Sequence, residues 1–177
     1  MLHKRKSAVL CEGYFDCIGL QQAGVKNAVA LCSTALTPGH LAALQRMEGR
    51  ELVLLLDGDK AGRNAVVRLA GPILAAGAPS RVASLPEGED PDTFARKVGA
   101  DAVAELVSKA PTLTKYLFQA LLPNGVQSEF EEKMQALDTL KPIAAQIPIG
   151  LVRSALFAAM SAHFGLPRSR GRPSPRE

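Results

Sequence analysis

The sequence predicts an α/β fold: a mainly parallel four-stranded sheet with helices on both faces, followed by a small helical bundle. Three observations point there. Short apolar runs at residues 7–11, 27–31, 52–56 and 81–85 each end in a turn or small-residue loop, as buried strands do. Stretches with helical spacing separate them, and strand alternating with helix gives parallel pairing with both faces covered. From Asp101 onward the spacing is helical only, and short connections imply antiparallel neighbours. The expected division is an α/β domain over residues 1–100, a bundle over 101–166 and a tail over 167–177.

Each element has its own signal. Ser7–Cys11 is an apolar strand closing at Glu12-Gly13, where glycine permits an unusual turn. Tyr14 to Ala23 reads as a helix with Phe15, Ile18, Gly19 and Gln22 along one side, and Gly24 stops it. Asn27–Leu31 is the second strand and runs into the loop Cys32–Leu36. Thr37 as N-cap and Pro38 in the first turn open a helix striped by Leu41, Leu44 and Met47. Glu51–Leu56 is the central strand. The helix from Lys60 shows Ala61, Ala65, Val66, Leu69 and Ile73; Gly71-Pro72 predicts a break or two short helices, because proline removes a backbone bond.

Arg81–Leu85 is the fourth strand, and the acidic turn Pro86–Asp92 leads into a helix over Thr93–Val98. Ala102–Lys109 and Pro111–Leu122 follow. Ser128–Ile147 is striped by Phe130, Met134, Leu137 and Leu140, and Pro142 is expected to bend or divide it. Pro148–Phe164 is expected to face Leu151, Val152, Ala155, Leu156, Ala159 and Met160 inward. Residues 167–177, rich in Arg, Ser and Pro, read as a disordered basic tail.

Composition narrows the function classes. The chain of 177 residues is 47% apolar and 21% charged, enough for one domain and a small appendage. Aromatics are 5% with no Trp, so aliphatic packing dominates and a base-stacking platform is disfavoured. The net charge of +4 is compatible with a nucleic-acid partner, but the last ten residues supply +3 of it. Cys11, Cys17 and Cys32 show no metal or disulfide spacing; Cys11 and Cys32 are expected to be buried thiols, and a reducing cytoplasm fits. His3, His40 and His163 are scattered. No apolar run approaches the ~18 residues of a membrane span, so no membrane partner is expected. The start, MLHKRKSAVLCEGY, is basic, but its apolar part is too short for a signal peptide.

The acids carry the chemistry. Asp57 and Asp59 are separated by one residue, so both carboxylates leave a strand end on the same side. Open α/β sheets bind ligands beyond the carboxyl ends of their strands. Glu12, Asp90 and Asp92 follow other strands, and Pro91 pushes Asp90 towards extended geometry. These five carboxylates are thus expected at one rim. Crowded carboxylates repel and are tolerated best around a cation. Oxygen-only ligands suit Mg²⁺ or Mn²⁺ rather than zinc, and such clusters serve phosphoryl chemistry. Lys60 and Arg63, at the start of the next helix, either hold phosphate oxygens or balance the acids. Taken singly, the DxD reads more readily as an exposed acidic turn rich in Gly, and Asp92 reads as readily as a helix cap.

Four motifs in order, EGYFD (Glu12–Asp16), STALT (Ser33–Thr37), DGDKAGR (Asp57–Arg63) and LPEGEDPD (Leu85–Asp92), closely resemble the TOPRIM domain of bacterial DNA primases. The resemblance runs from about Val9 to Val98 and less distinctly to Leu166. It implies primer synthesis: metal-dependent nucleotidyl transfer making short RNA on single-stranded DNA from ribonucleoside triphosphates. It further implies Glu12 as a general acid/base or metal-associated residue, and Asp57, Asp59, Asp90 and Asp92, with Asp16 in the same acidic set, as binding Mg²⁺ or Mn²⁺ and the incoming nucleoside triphosphate. Ser33 stands where the family usually has glycine. The zinc-binding domain, the basic half of the polymerase core and the helicase-binding domain of such primases have no counterpart in this sequence; a replicative helicase would be met through them. A fragment and a stand-alone relative both fit, as do a TOPRIM nuclease and a non-catalytic module. A topoisomerase is disfavoured, because neither Tyr14 nor Tyr116 has a nucleophile setting.

Overall fold

The computed structural model describes residues 7–33, 36–46 and 51–166. Thr34, Ala35, Met47, His3, the side chains of Leu41 and Leu44 and the tail 167–177 lie outside what it describes. The elements are β1 (Ser7–Cys11), α1 (Tyr14–Gln22), β2 (Ala28–Ala30), α2 (Pro38–Gln45), β3 (Glu51–Leu56), α3 (Lys60–Ala75) and β4 (Ser80–Ser84). Then come α4 (Pro91–Lys109), α5 (Leu113–Leu121), a 3-10 turn (Gly125–Gln127), α6 (Phe130–Gln146) and α7 (Leu151–Phe164).

The sheet is wholly parallel, in the order β2-β1-β3-β4. Alternation along the strands divides its core in two, as a period of two requires. Ala8, Leu10, Leu52, Leu54, Leu56 and Val82 point to one face, where α3 brings Val66, Leu69 and Ile73. Val9, Cys11, Val53, Leu55 and Ala83 point to the other, where α1 brings Leu20 and α4 brings Ala95 and Val103. The bundle joins the first face: Leu117, Leu140, Ile143, Met160 and Phe164 belong to the same buried cluster as α3. Among the described residues no helix is long and apolar enough to cross a membrane.

Several sequence expectations need correcting. Helix α3 runs unbroken through Gly71-Pro72. Only its last turn follows Pro72, so a single bond is forfeited, and bare Gly71 lets α6 approach: a Cβ there would stand 2.6 Å from the Gln146 amide. Helix α6 is likewise undivided at Pro142. Its buried row is Ala136, Leu140, Ile143 and Ala144, while Phe130 and Met134 are exposed, because the helix gains cover only in the half that passes α3. In α7 only Leu156, Met160 and Phe164 are buried. Leu151, Val152, Ala155 and Ala159 are exposed. That helix is apolar nearly all round, so spacing alone does not select its inner row. In α1 it is Gly19 and Leu20 that are buried; Phe15, Ile18 and Gln22 face out. Cys32 is exposed, not buried, and its backbone is left-handed at φ 54°.

Helix α5 starts at Leu113 because Thr112 caps it, its hydroxyl accepting from Lys115 N–H at 3.3 Å. Thr112→Ala is expected to lower unfolding free energy by about 1 kcal/mol in urea titration.

Candidate metal centre

The strand order places a topological switch between β1 and β3. From β1 the chain passes through α1 to β2 on one side; β3 lies on the other side of β1 and leads through α3 to β4. The connecting helices α1 and α3 lie on opposite faces, so a crevice opens at the carboxyl ends of β1 and β3. Glu12 follows β1 and Asp57 follows β3, and these strands are in register, with Leu10 opposite Leu54. The two acids therefore flank the crevice.

Close backbone approaches bring the other acids in. Gly58 donates its N–H to Glu89 O at 2.9 Å, which seats the Asp57–Asp59 turn against the loop carrying Asp90 and Asp92. Gly19 of α1 meets Asp92 so closely that a Cβ would stand 1.7 Å from its Oδ1, which sets α1 and Asp16 beside the start of α4. Each flanking acid also has a local task. Asp59 caps α3 by accepting from Gly62 N–H at 2.8 Å, and Asp90 caps α4 by accepting from Thr93 N–H at 2.8 Å. The cap of α4 is thus Asp90; Asp92 sits in the first turn and pairs with Arg96 at 2.6 Å. Asp16 accepts from Gly13 N–H at 3.1 Å. The carboxylates of Glu12 and Asp57 accept no hydrogen bond from the described residues, although Glu12 O accepts from Cys32 N–H at 2.9 Å.

The electrostatics register this convergence. Burial pushes the Asp57 carboxyl up to about 6, and Asp16, Glu12, Asp59 and Asp90 push it the same way. Burial also raises Glu12; Arg68 offsets part of this, and Asp16 and Asp59 add to it. Asp16 is raised by burial and by Asp90 and Asp92, against the Gly13 hydrogen bond. Six carboxylates from three segments thus act on one another across one crevice, and the pattern is that of a site short of positive charge.

Among the described residues, no three His, Cys, Asp or Glu side chains are arranged to enclose a metal ion. A closed cage is not what Mg²⁺ takes, however. It keeps several waters and is held by one or two carboxylates together with ligand phosphates. Glu12 and Asp57, whose carboxylates take no hydrogen bond among the described residues, fit such an open site.

Of the two cations expected from sequence, Arg63 is tied to Glu87 at 2.8 Å and to Gly58 O at 3.4 Å, and Lys60 is exposed at the first position of α3. Arg68, one helical turn and a half further on, acts on Glu12. Its influence was not read from the sequence as reaching that acid; the i, i+5 offset from Arg63 places it on another side of α3. Glu87 and Glu89, partners of Arg63 and Lys97, were also missed, because an exposed acidic turn shows no spacing that separates ion pairs from ligands.

A family model described as Toprim-like matches residues 9–95, the stretch containing the whole sheet after its first residues and every acid above. The DNA primase of Myxococcus xanthus is 60% identical over 164 residues, 93% of this chain. The chain belongs to the bacterial DNA primase family. It spans about a quarter of the length of the primases it matches: 27% of the M. xanthus protein and 28% of that from Escherichia coli K12. A solved DNA primase domain from Pseudomonas aeruginosa superposes with TM-score 0.77 at 32% identity, covering 93% of this chain and 52% of that one. A primase catalytic domain described as bound to ssDNA superposes with TM-score 0.71 at 31% identity, over 92% of this chain and 52% of that one. The primase catalytic core thus shares this sheet, this switch point and the helices after them.

Proposed function

We propose that this chain is the metal- and nucleotide-binding part of a primer-synthesising centre, a DNA-directed RNA polymerase of primase type joining ribonucleoside triphosphates on single-stranded DNA. The observation that carries this reading is the pair Glu12 and Asp57, both raised by burial and by neighbouring acids at the switch point of a primase-family fold. Asp57, Asp59, Asp90, Asp92 and Asp16 would hold Mg²⁺ or Mn²⁺. When bound, the ion supplies charge neutralisation for the phosphoryl group in transfer. Glu12, raised by burial, is suited to take the proton of an attacking hydroxyl. Asp59 and Asp90 have a further role that needs no ion: as caps they fix the first turns of α3 and α4, and so the rim of the site. Template contact is supported by the ssDNA-bound relative. A replicative helicase would be met through regions of the longer family members.

Lys60 and Arg63 stand at the amino end of a 16-residue helix, where the helix dipole and free N–H groups favour phosphate. Arg63→Gln is expected to weaken binding of magnesium triphosphate about fivefold in calorimetric titration. It should leave the thermal midpoint unchanged, because the pair with Glu87 is half-exposed.

The test of the whole reading is direct. The chain is incubated with single-stranded template, Mg²⁺ and ribonucleotides, and short RNA is sought, with a chelator as control. Template-dependent RNA that vanishes with the metal supports it. Absence of RNA with metal binding intact makes the chain a binding module; strand cleavage in Mn²⁺ without triphosphates makes it a nuclease.

A further inference from the structure

Eleven large apolar side chains are exposed among the described residues, and seven of them lie between Val126 and Phe157, on the bundle. Phe130 is 70% exposed, Ile149 92% and Leu151 86%. Single exposed apolar residues are ordinary, but a cluster of them marks a contact surface. None of the roles assigned above uses any of the seven.

The α6 part of this surface carries a repeat. Phe130, Met134, Leu137, Lys141 and Ala144 follow one another at steps of four, three, four and three residues. That spacing keeps all five on one side of the helix, as in a two-stranded coiled coil. The stripe is not uniform. Its amino end carries the large ring of Phe130, which stands out into solvent. At its carboxyl end, beside the small Ala144, a hollow of about 360 Å³ opens between α6 and α7. Leu137, Phe157 and Leu166 wall the hollow, and the buried Ala144 and Met160 floor it. Phe130 and Ala144 each stand seven residues from Leu137, on opposite sides of it.

The two ends also differ in charge. Glu129 and Glu131 flank Phe130, while Lys133 of the same turn is drawn to Val126 O at 2.7 Å. Lys141 and Arg153 line the hollow. Lys141 pairs with Asp138 at 2.7 Å. Arg153 lies over the Phe157 ring, 5.7 Å from its centroid, and pairs with no acid among the described residues.

We infer that this face docks a second copy of the chain, with the two α6 helices antiparallel about a two-fold axis at Leu137. A two-fold contact must be self-complementary, because each patch meets its own image. Here the axis sets Phe130 of each copy over Ala144 of the other, a large side chain over a small one. It also brings the acidic end of one copy to the end that holds Arg153 in the other. Leu137 meets its own image. Such a contact closes on itself, so it stops at two copies. Residues 167–177 do not suit the hollow: they offer four arginines and no large apolar side chain, and Arg153 repels them.

Sedimentation equilibrium of the full chain, without metal or nucleotide and at up to about 500 µM, tests this. A monomer–dimer equilibrium is expected, with a dissociation constant of about 50 µM, as suits a contact of less than standard size. Phe130→Glu removes the protruding ring, and Phe157→Glu alters the hollow from the other helix; both positions are exposed. Each should raise the dissociation constant at least about tenfold and leave the thermal midpoint of the dilute chain as it was. Leu137→Cys locates the axis, in a Cys32→Ser background that removes the exposed native thiol. Mild oxidation should link two copies through residue 137. Gln135→Cys, exposed on another side of α6, should not link. A chain that stays monomeric at the highest concentration overturns the inference and leaves the surface to a different protein segment. A dimer that survives Phe130→Glu and Phe157→Glu, or that links through residue 135 as readily as through 137, overturns it too.

Discussion

Asp57→Asn is expected to lower metal-dependent nucleotide joining by about a hundredfold or more while making the metal-free chain more stable. The two effects have one cause. Asp57 is held partly buried among four other carboxylates, and its ionised form is disfavoured to the extent that its carboxyl titrates at about 6 instead of 3.8. The folded chain therefore binds the Asp57 proton more tightly than the unfolded chain does. Stability from this group is greatest below about 4, falls as pH rises to about 6, and is flat above. Glu12 and Asp16 are shifted in the same direction and add to the slope. Solvent reaches much of the cluster and screens it, so the relief from removing the Asp57 charge at pH 7 is about 1 kcal/mol. Thermal midpoints at pH 4.5 and 7 measure this: the fall between them should shrink in the variant. Bound cation reverses the sign, because it favours the ionised form. Manganese affinity of the unaltered chain should thus fall as pH drops through about 6. A variant that keeps wild-type joining, or a midpoint lowered at pH 7, would remove Asp57 from the centre of the site.

The strands and the acids were legible because both obey short-range rules. An apolar run ending in Asp57-Gly58-Asp59 has few alternatives, and parallel pairing sends every such terminus to one rim. The bundle was less legible. Spacing tells an inner row from an outer one only where the outer side is polar, and α7 offers Leu151, Val152, Phe157 and several alanines around its whole girth. Pro72 misled for another reason: its cost depends on how much helix follows it, which the sequence does not mark. The division of labour among the acids was hidden as well. Asp90 and Asp92 look alike in the sequence, yet one caps α4 and the other pairs with Arg96. A cleft beside α5 joins residues 56 to 120 across two layers, and no local pattern announces it.

Gly58→Ala is expected to cost about 2–4 kcal/mol of unfolding free energy and to weaken manganese binding with it. A Cβ at this position would lie 1.9 Å from Pro86 O and 3.0 Å from Leu85 O. Those are backbone atoms, so no side chain can swing aside to make room. The loop is also held from the other direction, since Gly58 N–H donates to Glu89 O at 2.9 Å. Pro86 and Pro91 stiffen the segment between, and relief must come from moving the whole turn outward. That turn carries Asp90 and Asp92, so the acids of the fourth strand would be drawn away from those of the third. Gly88 is the informative control. It lies in the same loop with φ +79°, but nothing stands within 4 Å of its Cβ position. Gly88→Ala should show backbone strain alone, about 1 kcal/mol, with little change in manganese affinity. If the two substitutions prove equal in both urea midpoint and metal affinity, the close seating of Gly58 is not what joins the halves of the site. If only Gly58→Ala loses metal, one atom of missing side chain accounts for how acids more than thirty residues apart in sequence come to share a crevice.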